Sequence, residues 1–194
     1  ELTAHEREEL LATADESLEA LASLVTDLLD VSRLQAGALA VVLAEVDVDE
    51  VIIPALDELG LGPAEVELDL GTDLPAVSAD AGLLQRVVVN VLANAVRFSP
   101  PGRRVRVATS AFAGTVQVRV IDHGPGVAAE RKDEIFLPFQ RLGDTDNLTG
   151  LGLGLALARG LAEGMGGSLE ADDTPGGGLT MVVSLAAASD RMDP

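Results

Sequence analysis

The sequence has no cysteine, no tryptophan and no tyrosine, and only four phenylalanines among 194 residues. Without cysteine there are no disulfides and no thiolate-bound metals, which is compatible with a reducing compartment. With 47% hydrophobic residues but almost no aromatics, the core has to be aliphatic, built from Leu, Val and Ala. No apolar run reaches the roughly 18 residues that span a bilayer, and no signal-peptide pattern opens the chain. The piece is therefore expected to be cytoplasmic. Its length suits one domain with its own core plus an appendage.

Positive charge is scarce as well. The net charge of −19 argues against a nucleic-acid surface. The scarcity is uneven, however. Residues 86–159 hold ten of the 13 basic residues and six of the 32 acidic ones, which leaves three basic and 26 acidic residues elsewhere. Such an island fits either an anionic ligand or a chance excess of exposed arginine.

Residues 1–37 have the pattern of one long helix. Thr3-Ala4-His5-Glu6 has the form of a capping box. Leu11, Ala14, Leu18, Leu21, Val25 and Leu28 recur in steps of three and four, Leu10, Leu24 and Leu29 widen the stripe, and Gly37 suits a C-cap. A helix with such a stripe needs a partner helix. After it the pattern predicts a strand over 39–48, a helix from Asp49 to Leu59, short strands at Val66–Leu70 and Leu74–Val77, and an apolar helix from Asp80 to Phe98 stopped by Ser99-Pro100-Pro101-Gly102. A hairpin of Arg104–Thr109 and Thr115–Asp122 turns at Ala113-Gly114. A helix over about Leu151–Met165 and strands at Ser168–Glu170 and Leu179–Leu185 complete an α+β, two-layer sandwich of about five mixed strands and three helices, preceded by the long helix.

Three motifs carry chemistry. Asn90, Asn94 and Arg97 fall on one face of a valine-rich helix that ends at Phe98. Amides there cost stability unless their polar atoms find partners. The stripe fits a polar cleft in which Asn oxygens suit Mg²⁺ and Arg suits phosphate, and it equally fits a helix with one solvated edge. Asp122-His123-Gly124-Pro125-Gly126 follows a strand. Its glycines allow close approach to a flat ligand, and an Asp at a strand end can accept from an exocyclic amine, although a plain Asp-x-Gly turn is common. Gly150-Leu151-Gly152-Leu153-Gly154-Leu155 opens a helix, where backbone amides favour phosphate. Its position and ending are neither those of a dinucleotide fingerprint nor those of a P-loop.

In this order, within about 65 residues, the motifs resemble the GHKL superfamily of ATP-binding domains, which share the Bergerat fold. Glu134-Ile135-Phe136-Leu137-Pro138-Phe139-Gln140-Arg141 resembles the F box of sensor histidine kinases, and Pro175-Gly176-Gly177-Gly178-Leu179-Thr180 their last glycine box. Asp27 to Gly37 resembles the end of the second helix of their dimerisation and phosphoacceptor hairpin. Phe139–Asn147 and Pro175–Leu185 are similar in wording to a potassium-sensing branch of that family.

The resemblance implies that residues 1–38 are half of that hairpin, 39–187 the ATP-binding catalytic domain, and 188–194 a tail. It implies ATP and Mg²⁺ as cofactors. Asp122 would recognise the adenine amine, with Gly124 and Gly126 shaping the pocket. Asn94 would be the main Mg²⁺ ligand with Asn90 nearby, Arg97 would face phosphate and Phe98 the base. Gly150, Gly152, Gly154 and Leu155 would form the phosphate-side edge, and Thr180 would lie behind the adenine. Leu179 stands where the family has a Thr. Implied partners are a phosphoacceptor helix of the same or another kinase chain and a response regulator, with a parent protein in the cell membrane.

His5 and His123 are the only histidines. The residues after His5-Glu6 depart from the acceptor pattern, so His5 is expected to be a helix-start residue and the acceptor to lie on another helix. The related ATP-hydrolysing clamps of the heat-shock chaperone, gyrase and mismatch-repair kind carry a Glu four residues before the metal-binding Asn, where it activates water. Asn90 occupies that position here, which points to phosphoryl donation. A non-catalytic nucleotide-binding module is the remaining alternative.

Overall fold

A computed structural model of the chain describes residues 3–140 and 152–188. Helix α1 (Ala4–Gln35) begins directly after Thr3. It closes at Gly37, which takes φ 63°. The Gly37 amide donates to the Leu34 carbonyl and the Ala38 amide to the Arg33 carbonyl, at 3.0 and 2.9 Å. A left-handed glycine permits that double closure. Along α1, Leu11, Leu18, Leu21, Val25 and Leu28 are exposed, while Val31 is buried and Leu34 packs against the core.

The strand expected over 39–48 is shorter in the structure. Only Ala44–Val46 (β1) pairs, antiparallel to β3 (Val77–Ala79). Upstream of it Leu39 and Val41 pack against the core while Val42 and Leu43 stay exposed. The Val42 amide is held by the Asp80 carboxylate at 3.1 Å. The sequence alternation therefore marks a strap laid over the core. β3 starts later than expected because Pro75 has no amide to give a ladder.

Helix α2 (Asp49–Glu58) buries Val51, Ile52, Ala55 and Leu56. β2 (Val66–Asp69) leads on to β3 and then to α3 (Ala81–Phe98). Oδ1 of Asp80 accepts from the amides of Gly82 and Leu83 at 3.1 and 3.2 Å, which satisfies two free donors of the first turn. In α3, Leu84, Val87, Val88, Val91, Leu92 and Ala95 are buried at helical spacing. That leaves Arg86, Asn90, Asn94 and Arg97 on the remaining stripe.

β4 (Val105–Phe112) and β5 (Thr115–Ile121) turn at Ala113 and Gly114, both at positive φ, as a two-residue hairpin needs. α4 (Gly154–Gly164), β6 (Ser168–Asp173) and β7 (Leu179–Ala186) follow. The main sheet has the order β2-β4-β5-β7-β6, with β2–β4 parallel and the other pairs antiparallel. Val107, Val118, Val120, Met181, Val183 and Leu169 turn one face of it into the core, where Leu157, Ala158, Leu161 and Ala162 of α4 are also buried. The result is the expected two-layer α+β sandwich, with the β1–β3 pair added beside the five-stranded sheet.

Candidate functional site

Asp122 leaves the end of β5 and is 3% exposed. Its Oδ1 accepts from the amides of Gly124 at 2.8 Å and Leu179 at 3.0 Å. Its own amide donates to the Leu179 carbonyl at 2.9 Å. One carboxylate oxygen is thus consumed in fixing the side chain between two strand ends. Oδ2 has no hydrogen-bond partner among the described residues. A carboxylate held rigidly by one oxygen presents the other as an oriented acceptor.

Glycines let the surrounding backbone close on this group. A β-carbon on Gly124 would stand 2.6 Å from the Phe98 carbonyl oxygen, and one on Gly178 would stand 2.1 Å from the Asp122 carbonyl oxygen. Gly126, at φ 71°, lies against Gly178. The Asp122–Gly126 loop, the end of α3 and the Gly176–Gly178 turn are therefore packed backbone to backbone around Asp122.

α3 supplies the next group of side chains. Asn90 is half-buried, and its Nδ2 donates to the Arg86 carbonyl at 2.9 Å. Its Oδ1 is thereby aimed at the opening of α4. Asn94, also half-buried, has no side-chain hydrogen bond among the described residues. Arg97 is exposed, with its guanidinium carbon 5.4 Å from the centroid of the Phe98 ring. At the start of α4, Gly154 has no side chain in the way of Asn90, and Leu155 packs against the core. Gly152, at φ 70°, accepts from the Phe139 amide at 3.0 Å. Gly150 lies outside the described residues, as do Arg141 and Leu151 and the tail from 189 onward.

Thr180 is placed differently from its neighbours. Leu179 adjoins Asp122, while Thr180 pairs with Ile121, so its side chain projects from the opposite face of the sheet. Its hydroxyl pairs with that of Thr174 at 2.9 Å, both residues being buried. Thr174 and the role of the Leu179 amide were not legible in the sequence, whereas Gly178 lies in the last glycine box read there.

The basic island is largely spent inside the molecule. Arg86 pairs with Asp27 and Asp30, Arg104 with Glu67, Arg106 with Asp69, Arg131 with Glu134, Lys132 with Asp173, and Arg159 with Asp133 and Glu163. Arg159 also lies over the ring of Phe136, 4.6 Å from its centroid. Local charge excess was therefore not by itself a pointer to an anionic ligand.

The fold is a helix-backed mixed sheet, an α+β sandwich in which an anchored strand-end Asp lies near the end of an Asn-bearing helix. Residues 79–189 match the profile of the histidine kinase-, DNA gyrase B- and HSP90-like ATPases, and the chain belongs to that family. It is 63% identical over 173 residues to sensor protein KdpD of Rathayibacter rathayi, covering 89% of this chain and 20% of that protein. It is 47% identical over 191 residues to sensor protein KdpD of Mycobacterium tuberculosis (strain ATCC 25618 / H37Rv), covering 94% of this chain and 22% of that one. The chain thus spans about a fifth of the length of these relatives. Among solved structures, full-length ShkA in complex with AMPPNP superposes with a TM-score of 0.79 at 33% identity, covering 97% of this chain and 41% of that one. The chain carries an ATP-binding domain of the sensor histidine kinase type.

Proposed function

We propose that the chain binds ATP with Mg²⁺ and donates the γ-phosphoryl group to a histidine on a phosphoacceptor helix, presented by the same kinase chain or by a partner chain. The observation that carries this reading is Asp122, whose Oδ1 is tied by two amides while Oδ2 remains available. In the proposed complex Oδ2 accepts from the adenine amine, Gly124 and Gly126 let the backbone close on the base, and Phe98 lies beside it. Thr180 acts from behind, by holding through Thr174 the strand that carries Leu179.

The α3 side chains fit a hard cation. Asn90 has its nitrogen committed and its oxygen turned toward the start of α4, and Asn94 is unpaired among the described residues. Among the described residues no three His, Cys, Asp or Glu side chains are grouped to hold a metal. Mg²⁺ would therefore be held by Asn94, with Asn90 nearby, together with substrate phosphates and water, and would supply charge neutralisation. Arg97 would face the phosphates. Gly152 and Gly154, with Gly150 and Leu155, would form the phosphate-side edge. Asn90 has no carboxylate with which to take a proton from water, which favours transfer to an acceptor over hydrolysis. Such transfer depends on positioning and charge stabilisation, so the domain needs no strong base.

Likeness to the two KdpD proteins supports the wider reading: residues 1–38 as half of an acceptor hairpin, residues 39–187 as the catalytic domain, a parent in the cell membrane, a response regulator downstream and a potassium-linked signal. No described helix is long and apolar enough to cross a membrane. The test is calorimetric titration with ATP–Mg²⁺, followed by incubation with radiolabelled ATP and a separately supplied acceptor hairpin of the parent kinase. The expected result is binding, acid-labile label on the hairpin and none on the chain. Asp122→Asn keeps the Oδ1 anchor but replaces the acceptor Oδ2 with a donor, and should weaken binding by roughly tenfold to a hundredfold. Unchanged affinity in that variant, or acid-stable label on the chain, overturns the reading.

A further inference from the structure

Two short 3₁₀ turns, Ala129–Arg131 and Glu134–Phe136, carry the chain from the Asp122–Gly126 loop toward the start of α4. Phe136 is buried in the core, whereas Leu137 and Phe139 are exposed. Arg159 of α4 lies over the Phe136 ring, its guanidinium carbon 4.6 Å from the centroid. Nε of Arg159 donates to Oε1 of Glu163, one turn on, at 3.2 Å, and Nη1 donates to Oδ1 of Asp133 at 3.4 Å. The Asp133 side chain is 96% exposed, so that ion pair holds little. The cation on the ring, oriented from within α4 by Glu163, is the stronger tie.

The backbone after Phe136 is stiff. Leu137 precedes a proline and takes the extended conformation that a following proline favours, φ −79° and ψ 137°. Pro138 has a fixed φ. Phe139 then takes φ 65°, which a bulky residue keeps only where its surroundings impose it. Here the Phe139 amide donates to the Gly152 carbonyl at 3.0 Å, and a β-carbon on Gly152 would stand 2.5 Å from the Gln140 carbonyl oxygen. Gly152 sits two residues before Gly154, beside which Oδ1 of Asn90 lies. The contacts thus close a ring. It runs from Gly154 along α4 to Arg159, across to Phe136, through the Leu137–Pro138 strut to Phe139, and back to Gly152.

We propose that Arg159 is a positioning residue for the phosphate side of the nucleotide site. By clamping Phe136 to α4 it closes the ring of contacts that fixes the backbone of Gly152 and Gly154, and with it the place of the Asn90 amide. The inference rests on the ATP–Mg²⁺ reading above and adds to it a residue that acts through its neighbours. Asp122 is anchored separately, by the Gly124 and Leu179 amides, outside the ring. Removing the clamp therefore loosens what holds phosphate and metal, while the base keeps its acceptor.

Displacement of a fluorescent ATP analogue by ATP–Mg²⁺ and by adenosine separates the two halves of the site. In Arg159→Met an apolar stem still covers the ring but the cation is gone. ATP–Mg²⁺ should then bind about threefold to tenfold more weakly, while adenosine stays within about twofold of the parent. Arg159→Lys, which returns a cation to the ring, should recover most of the loss. Phe136→Leu should match Arg159→Met, and the two together should be no worse than either, because both open one contact. Three results overturn the proposal and leave the ATP reading standing: equal weakening of both ligands, full ATP–Mg²⁺ affinity in Arg159→Met, or Arg159→Lys binding no better than Arg159→Met. A parent chain that binds neither ligand overturns both.

Discussion

Oδ1 of Asn90 stands 2.7 Å from the point where a β-carbon on Gly154 would be built. The first glycine of α4 is thus a space that the α3 amide already uses. Gly154→Ala has to displace Asn90, although alanine suits a helix better than glycine. Fold stability should therefore hold while ATP–Mg²⁺ affinity falls by about tenfold. Asn90→Ala should cause a similar loss, and the double variant should be no worse than either alone, because both changes remove one placement of one amide. Calorimetric titration of the three variants checks this. Additive losses would show that Gly154 acts independently of Asn90.

The buried Thr174–Thr180 hydroxyl pair makes a separate stability prediction. Thr180→Val leaves the Thr174 hydroxyl buried without a partner, which costs about 1–3 kcal/mol. Thr174→Val should cost a similar amount. The double valine variant should cost clearly less than the two together, since no orphan remains. Urea denaturation gives all three values. ATP–Mg²⁺ affinity should change less in Thr180→Val than in Asp122→Asn, because the Thr180 side chain projects from the other face of the sheet.

What could be read beforehand from the sequence followed local rules. The helix end at Phe98-Ser99-Pro100 and the Ala113-Gly114 turn are each set by a few neighbouring residues, and each lies where the pattern put it, while Asp80, expected as the first helical residue, caps the helix instead. The polar stripe of Asn90, Asn94 and Arg97 was legible because α3 buries its other face. The strap at 39–43 was not, because alternation reports one buried side and is silent on whether a neighbouring strand exists. The partners of Asp122 were hidden for a similar reason. Leu179 contributes a backbone amide, which no side-chain pattern encodes, and it meets Asp122 across 57 residues of sequence. The ion pairs that occupy most of the basic island also join distant segments, which composition cannot show.

Asp49 carries a pH prediction. Its Oδ1 is buried without a hydrogen-bond partner, and burial together with the neighbouring Asp47 carboxylate raises its carboxyl above the ordinary value of 3.8. A carboxyl raised in the folded state binds more protons there than in the unfolded chain. Its contribution to stability is therefore fully present below the ordinary value and is lost as pH rises through the raised one. The positive end of α2, where Asp49 sits in the first turn, offsets part of that cost. Asp49→Asn removes the ionisation and keeps the shape. It should stabilise the chain slightly at about pH 7, by roughly 0.5 kcal/mol or less, and the advantage should shrink steadily as the solution is acidified toward pH 4. Paired urea titrations of parent and variant across that range measure the difference directly. An advantage that is constant with pH would assign the effect to packing rather than to charge.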